Sequence, residues 1–197
     1  MSTPKIAVVF YSTYGTNHAV AQAAASAAEA AGAEVRLRRV PETAPMEVVN
    51  AQDAWREQLE RMKGIPEVTH DDLDWADGYF VSVPTRYGLP PSQFTAFTDT
   101  TGGLWQRGAL ANKTFTATTS AQNDHGGQEG TILSLYHMAI HWGAIVVAPG
   151  YADPVKFTDG GNPYGFSTNA GGLPEGMRPS VEFQARRLVE VTAKLVA

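Results

Sequence analysis

The segment Ser12–Asn17 has side chains suited to binding an anion. It supplies hydroxyl groups, an amide and one glycine directly before an alanine-rich stretch that favours a helix. The N–H groups and the positive dipole end of a helix N-terminus attract anions. The loop lacks both the G-x-G-x-x-G pattern typical of a pyrophosphate site and the Walker lysine of a triphosphate site, so a single terminal phosphate held by neutral donors fits it better. The plainer alternative is that Thr16 or Asn17 only caps the helix while Ser12 ends a strand. The candidate ligands are Ser12, Thr13, Tyr14, Gly15, Thr16 and Asn17.

A second segment, Pro84–Pro91, is suited to a flat aromatic ligand. Three prolines stiffen it, and a tyrosine stands beside an arginine. Tyr87 could lie against a ring face while backbone groups of Thr85 and Arg86 bond the polar edge of the ring. The alternative is a surface turn whose arginine stem lies along apolar surface. The candidate ligands here are Pro84, Thr85, Arg86, Tyr87 and Gly88.

A third polar segment, 120–127, again precedes a helical pattern. In an open parallel sheet, ligands bind beyond the carboxyl ends of the strands. If all three segments follow strands of one sheet, they converge on one edge and favour a nucleotide-like site. The third set of candidate ligands is Ser120, Ala121, Gln122, Asn123, Asp124, His125 and Gly126.

Other kinds of site find little support in the sequence. His137 and His141 have the i, i+4 spacing of a zinc pair, but Met138 follows His137 where a zinc protease carries its general-base glutamate, and no third ligand is evident. No G-x-S-x-G motif of a hydrolase is present. The absence of cysteine excludes disulfides and thiolate metal sites. We therefore expect no metal.

Short apolar runs alternate with longer helical patterns along the chain. The run 6–11 is continuously apolar, which is typical of a central strand covered on both faces. Helical patterns fill the intervals, the first ended by Gly32 and the last begun by Ser180 as N-cap. The predicted strands are 6–11, 34–38, 77–83, 113–119 and 143–148, and the predicted main helices are 18–31, 92–101, 128–142 and 180–195.

This alternation predicts an α/β fold: a doubly wound parallel sheet of five strands with helices on both faces, forming a single domain over residues 1–197. Two stretches are longer than a simple connection between a strand and the next element of such a fold. The interval 41–74 contains an additional amphipathic helix whose predicted apolar stripe is Ala51, Trp55, Leu59 and Met62. The interval 149–179 is rich in glycine and proline, and a loop of that length inside a domain is usually functional or disordered.

Bulk composition narrows the choice of partner and compartment. A chain of 197 residues with 43% hydrophobic residues can bury one continuous core. Its net charge of -5 provides no cationic field for nucleic acid or an anionic membrane. The apolar run 6–10 is too short for a signal peptide, and no run approaches the ~18 residues of a membrane span. We expect a cytoplasmic protein without nucleic-acid binding or membrane insertion.

Seven short motifs, in order across nearly the whole chain, resemble those of the WrbA-type NAD(P)H:quinone oxidoreductases, FMN enzymes of the flavodoxin superfamily. The resemblance implies the flavodoxin strand order 2-1-3-4-5, in which FMN binds between strands one and three. It also implies NADH or NADPH as co-substrate, a quinone as acceptor and a homotetramer. The motifs are Tyr11–Gly15, Arg39–Thr43, Pro84–Gly88, Thr101–Trp105, Gly126–Glu129, Pro149–Tyr151 and Pro163–Gly165.

The same resemblance implies roles for individual segments. Residues 12–17 correspond to the phosphate loop, 85–88 to the loop at the isoalloxazine edge, and 121–126 to a third flavin loop. The family's third loop is usually rich in serine, threonine and glycine, whereas here it contains Gln, Asn, Asp and His. The implied substrate contacts are Tyr14, Trp105 and Tyr151, of which Tyr14 meets the nicotinamide. His141 is implied to lie near the flavin.

The position of His141 has a consequence for assembly. The helix predicted over 128–142 begins beside the third loop and runs away from it, so its far end lies about 20 Å from that loop. If His141 contacts flavin, it must therefore come from a neighbouring subunit. The alternative is a helix-end histidine stabilised by the negative end of the helix dipole.

The implied reaction is a two-electron, ping-pong reduction of quinones to hydroquinones by hydride transfer. No catalytic side chain is expected, because the flavin carries the chemistry. The alternative is a flavodoxin-like carrier of single electrons. Such a carrier should expose its flavin on an acidic docking face, whereas this chain is only mildly acidic and has Trp105 and a long glycine-rich segment where a substrate pocket could close. These features favour the enzyme.

Overall fold

A parallel sheet forms the centre of the computed structural model, which describes residues 2–197. The main strands follow the order β2-β1-β3-β4-β5, and a short sixth strand also pairs with β4. The predicted doubly wound fold and strand order are confirmed. The strands are β1 (Lys5–Phe10), β2 (Glu34–Arg39), β3 (Gly78–Pro84), β4 (Thr114–Ala121), β5 (Ile145–Val146) and β6 (Ser167–Asn169).

Eight α-helices surround this sheet within residues 2–197, together with 3₁₀ turns at Pro154–Phe157 and Glu175–Met177. None of the helices in this described part of the chain combines the length and apolar character needed to cross a membrane. The helices are α1 (Thr16–Ala30), α2 (Met46–Asn50), α3 (Asp53–Arg61), α4 (His70–Trp75), α5 (Ser92–Asp99), α6 (Gly102–Gln106), α7 (Gln128–His141) and α8 (Arg178–Leu195).

The core lies on both faces of the sheet, and β1 shows why its sequence is continuously apolar. Ile6, Val8 and Phe10 project into a cluster with α1 and α8. The alternate residues Ala7 and Val9 project into a second cluster with α5, α6 and α7. Because successive side chains of a strand point to opposite faces, a strand covered on both sides needs apolar residues at every position.

The fifth strand position is divided between two segments. Ile145 pairs with Thr114 at the start of β4, whereas Asn169 pairs with Ala121 at its end. The segment 147–166 leaves the sheet between these two pairings. The predicted strand over 143–148 is therefore wrong in its extent. At its start, Gly143 takes a φ of +76° and ends α7, and β6 was not predicted.

The interval 41–74 also differs from its prediction. Three short helices, α2 to α4, replace the single amphipathic helix. Ala51 is exposed between α2 and α3, because Gln52 adopts an extended conformation there. The predicted Met62 is buried, and so is the polar Gln58, which the stripe omitted.

The ends of the long helices are partly as predicted. Gly32, with a φ of +91°, ends α1 as expected. Ser180 does not cap α8, which begins two residues earlier with a proline in its first turn. The Ser180 hydroxyl instead donates to Asp159. Leu188 of the predicted inward face is buried, but Leu195 is exposed.

Candidate cofactor site

Loops after β1, β3 and β4 meet at the carboxyl edge of the sheet and enclose a cleft of about 710 Å³. This volume lies in the usual range for small-molecule and cofactor sites. Two further wall residues, Gly127 and Ala170, were not predicted. The predicted ligands that line the cleft are Ser12, Thr13, Tyr14, Thr16, Asn17, Pro84, Thr85, Arg86, Tyr87, Gly88, Ser120, Ala121, Gln122, Asn123, His125 and Gly126.

The N-terminus of α1 opens into this cleft. Gly15 occupies the N-cap position with a φ of +103°, and its N–H donates to Ser12 Oγ at 3.0 Å. Within residues 2–197, no side chain caps the helix, so neither Thr16 nor Asn17 has the capping role considered above. The N–H groups of the first turn are left for an anion, which a helix N-terminus attracts. Gly15 itself shapes the loop and does not line the cleft.

Asn17 holds the three loops together. Its amide donates to Ser120 Oγ at 2.7 Å and accepts from Ser82 Oγ at 3.2 Å. These contacts join α1 to β3 and β4, and the residue is 2% exposed. The side-chain amide is thus used within the chain, and Asn17 shapes the cleft through its neighbours.

The loop after β3 is a tight turn. Arg86 N–H donates to the Leu89 carbonyl at 2.7 Å, and Leu89 N–H donates back at 3.0 Å. Tyr87 and Gly88 between them have φ values of +54° and +81°, which is the type I′ geometry. Since the Thr85 N–H also donates to a carbonyl of β4, the N–H groups among the backbone groups predicted to bond a ligand edge already have partners within the chain. The side chain of Tyr87 is fully exposed. A positive φ is uncommon for a tyrosine.

The Arg86 side chain provides a cation that the phosphate loop itself lacks. Its guanidinium donates to Thr13 Oγ1 at 2.8 Å and to the Thr85 carbonyl at 2.9 Å. Among the described residues that line the cleft, it is the only arginine or lysine. The β3 loop thus brings a positive charge to the β1 loop, which the prediction of neutral anion donors had not included.

Behind the phosphate loop, Glu42 organises a set of donors. Its carboxylate accepts five hydrogen bonds, including those from Tyr11 Oη at 2.8 Å, Trp55 Nε1 at 3.0 Å and Gln93 Nε2 at 2.8 Å. Burial, and then the charge of Glu42, raise the pKa of Tyr11, so the phenol stays a neutral donor. Glu42 belongs to one of the seven motifs, but its three side-chain partners lie 31, 13 and 51 positions away and gave no local signal.

Two loops of the cleft touch through glycine. A Cβ atom built on Gly127 would lie 2.6 Å from the Cα of Gly88, and the φ of Gly127 is +85°. A Cβ atom on Gly126 would lie 2.6 Å from the Cβ of Ala121. Only glycine permits this approach of the β3 and β4 loops.

A segment that we name the strap, Ser167–Gly172, closes one side of the cleft. Ala170 N–H donates to the Ala121 carbonyl at 2.7 Å, and Asn169 Nδ2 donates to Asp124 Oδ1 at 2.7 Å. The Asp124 carboxylate is therefore turned toward a neighbouring cleft of about 900 Å³ and does not line the first one. The strap was part of the long irregular interval and carried no periodic signal.

Three further predicted residues lie outside the cleft of their own chain. Trp105 Nε1 donates to the His141 carbonyl at 2.9 Å, at the end of α7 that points away from the cleft. The length of α7 puts this pair about 20 Å from the third loop. Tyr151 donates to the Gly161 carbonyl at 2.8 Å and stacks on Phe157. Trp105, His141 and Tyr151 are exposed.

Comparison with known proteins identifies the family. A sequence model described as NADPH-dependent FMN reductase matches residues 4–156. The chain belongs to this family. It is 56% identical to a NAD(P)H dehydrogenase (quinone) of Deinococcus radiodurans, with 100% of each chain covered. A second protein of that name, from Acidovorax ebreus, is 39% identical, with 97% of this chain and 98% of the relative covered.

Solved structures show the same fold for this FMN reductase family member. The WrbA-like flavodoxin from Agrobacterium tumefaciens superposes with a TM-score of 0.69 at 22% identity, covering 98% of this chain and 99% of that one. A flavodoxin from the domain Archaea superposes with a TM-score of 0.61 at 15% identity, covering 98% of this chain and 99% of that one. Together with the relatives, these matches confirm the resemblance drawn from the seven motifs.

The residues of the cleft fit an FMN group. The uncapped end of α1 and the Arg86 guanidinium suit a phosphate dianion, because both present positive potential. The exposed rings of Tyr14 and Tyr87 line the same cleft and offer aromatic surface to a flat ring. Family membership and cleft chemistry therefore agree on the same ligand class.

Proposed function

We propose that this protein is an FMN-dependent NAD(P)H:quinone oxidoreductase. The observation that carries the proposal is the cleft at the carboxyl edge of the sheet, where an uncapped helix N-terminus and Arg86 face the same space as exposed aromatic rings. The 56% identity to a protein named NAD(P)H dehydrogenase (quinone) supports the choice of substrates.

Bound FMN would supply the redox chemistry, taking a hydride from NADH or NADPH and passing two electrons to a quinone. The chain's own residues bind and orient. The first turn of α1 and Thr16 hold the phosphate, and Arg86 adds a positive charge beside them. Glu42 keeps Tyr11 and the residues beside it in place. No side chain is assigned a proton-transfer step.

The exposed aromatic surface for both substrates lies in the same cleft, which implies that the two substrates bind there in turn. Nicotinamide and quinone are both flat, and the exposed rings of Tyr14 and Tyr87 border the space each would occupy. Alternating occupation of one place is a ping-pong cycle. We expect parallel lines in double-reciprocal plots of initial rate against NADH at several benzoquinone concentrations, and intersecting lines would contradict the cycle.

We further propose that the active form is a homotetramer in which the site receives Trp105 and His141 from another subunit. Both residues are exposed and lie together at the far end of α7. An isolated chain leaves them about 20 Å from its own cleft, so association is the way to bring them to a flavin.

The visible spectrum of the purified protein and an FMN titration of the apoprotein test the cofactor. We expect about one FMN per chain, since one cleft has the phosphate-binding features. Thr16→Ala should weaken FMN far more than riboflavin, because the lost hydroxyl faces the phosphate. An equal loss for both flavins would contradict the placement of the phosphate.

Turnover separates the enzyme from the one-electron carrier. We expect NADH or NADPH oxidation that depends on benzoquinone, with one molecule of each consumed per cycle. A flavin-loaded protein with negligible NAD(P)H:benzoquinone turnover would instead support the carrier.

A further inference from the structure

We propose that the strap positions the Thr16 hydroxyl as a phosphate donor, so that Gly171 and Gly172 contribute to the preference for FMN over riboflavin. The inference rests on the proposed FMN binding. It concerns residues that lie 155 and 156 positions from Thr16 in the sequence, and no motif pointed to them.

The hydrogen-bonding capacity of the Thr16 hydroxyl carries the argument. Gly171 N–H donates to Thr16 Oγ1 at 3.2 Å, and Gly172 N–H donates to the same oxygen at 3.1 Å. A hydroxyl has two acceptor lone pairs and one proton. Both lone pairs are engaged, so the only remaining capacity is the O–H donor. Within residues 2–197 no group accepts a hydrogen bond from it.

Thr16 stands where this donor is useful. It is the first residue of α1, it is 4% exposed, and it lines the cleft. A threonine hydroxyl without the two strap contacts is free to rotate and to act as donor or acceptor. With them its proton has one direction, and a phosphate oxygen that receives it forms a charge-assisted hydrogen bond. Preorganisation of this kind improves affinity without adding a ligand contact.

The strap is fixed firmly enough to perform this role. Ser167 to Asn169 pair with the end of β4, and Ala170 N–H continues that pairing to Ala121. Its start is linked to the preceding loop by Asn162 Nδ2, which donates to Ser167 Oγ at 3.0 Å. The strap therefore spans from the β4 side of the cleft to the first turn of α1.

A buried ion pair holds the loop before the strap. The side chains of Lys156 and Asp159 are each 1% exposed and lie 2.5 Å apart. Asp159 also accepts from Ser180 of α8 and from Gly161 N–H, the latter at 3.0 Å. Removing either charge alone would leave the other buried without a partner, which is costly. The loop is thus anchored to α8.

Backbone conformation explains why two glycines end the strap. Gly171 and Gly172 have φ values of +125° and +109°, which L-residues rarely adopt. A Cβ atom at either position would meet no atom within 4 Å. Alanine there strains the backbone without a clash, so the substitution acts on the direction of the two N–H groups. Gly160, with a φ of +94° and equally open space, lies in the preceding loop and is a matched control.

The test is a double-mutant cycle read out by flavin binding to the apoprotein. Thr16→Val should raise the Kd for FMN by about 10- to 100-fold, the range expected for a hydrogen bond to a charged group, and leave the Kd for riboflavin within about threefold. Gly171→Ala combined with Gly172→Ala should raise the FMN Kd by about tenfold. Adding Thr16→Val to that pair should give no more than the effect of Thr16→Val alone. Gly160→Ala should bind both flavins as the wild type does.

Other outcomes separate this inference from the proposed cofactor. A wild type that binds neither flavin overturns both. A wild type that prefers FMN, together with a glycine double variant that keeps the whole preference, overturns the inference alone. The inference alone is also overturned if the glycine double variant and Thr16→Val raise the FMN Kd by factors that multiply fully when the changes are combined. Thr16→Ser, which keeps the hydroxyl, should retain the preference, and the single Gly172→Ala replaces the double variant if the latter does not fold.

Discussion

Two of the regions that carry predicted site residues differ in how complete they are. At the carboxyl edge of the sheet, loops from β1, β3 and β4 form a cleft joined by Asn17. At the far end of α7, Trp105 and His141 lie together on exposed surface, away from this cleft. The first region follows from the topology of one chain, whereas the second would contribute to a site only through the association proposed above.

The largest effect should come from breaking the contact between two loops of the cleft. We expect Gly127→Ala to destabilise the protein by about 2–4 kcal/mol and to abolish FMN binding, because its Cβ would overlap the Gly88 backbone at 2.6 Å and its φ is positive. Urea unfolding and flavin titration measure both. Gly32→Ala has a similar φ of +91° but no atom within 4 Å of a new Cβ. Equal losses for the two variants would show that the Gly88 contact is unimportant.

The second prediction tests the region at the far end of α7. His141→Ala and a cleft variant, Arg86→Glu, should each lower activity by at least about tenfold, since both disturb the placement of reacting groups. Mixing the two variants under conditions that exchange subunits should restore part of the activity, because some sites then combine an intact cleft with an intact His141. Full activity of His141→Ala alone, or of a dilute monomer, would remove this region from the site.

An intermediate effect is expected behind the phosphate loop. Glu42→Gln should lower the free energy of unfolding by about 1–3 kcal/mol, because an amide cannot accept all the hydrogen bonds that the carboxylate accepts. FMN affinity should fall with it, since Tyr11 and Thr13 lose their support. Glu47→Gln, on the exposed side of α2, is the control. Unfolding curves that match for both variants would mean that Glu42 has no such role.

The smallest effect concerns pH. His18 in α1 stacks on Phe10 at 5.2 Å, and burial lowers its pKa. A lowered folded pKa means that the unfolded chain binds the proton more readily, so this part of the stability is present above the unfolded pKa of about 6.5 and is lost as pH falls below it. We expect His18→Gln to reduce the loss of stability between about pH 7 and pH 5, whereas His137→Gln, an exposed site on α7, should not. Identical pH profiles of the two variants would contradict this.

Much of the cleft could be predicted from local sequence patterns. The continuous apolar run of β1 and the glycine at the end of α1 are signals contained within a few residues, and the strand order places the loops. Contacts between distant segments could not be predicted in this way. Arg86 reaches Thr13 across 73 positions, and the partners of Glu42 lie up to 51 positions away. The type I′ turn at Tyr87 was also hidden, because tyrosine rarely takes a positive φ.

The divided fifth strand position has a consequence for folding kinetics. The start of β4 pairs with Ile145, but its end must wait for Ser167, after the chain has closed the loop 147–166. Closing that loop costs conformational entropy before the strand pairing can stabilise it, so the strap should become ordered late in folding. The amides of Ala170 to Gly172 should then exchange hydrogen faster than those of the early half of β4 in the apoprotein. Ligand that engages Thr16 should slow that exchange, which makes the strap a natural reporter of cleft occupancy.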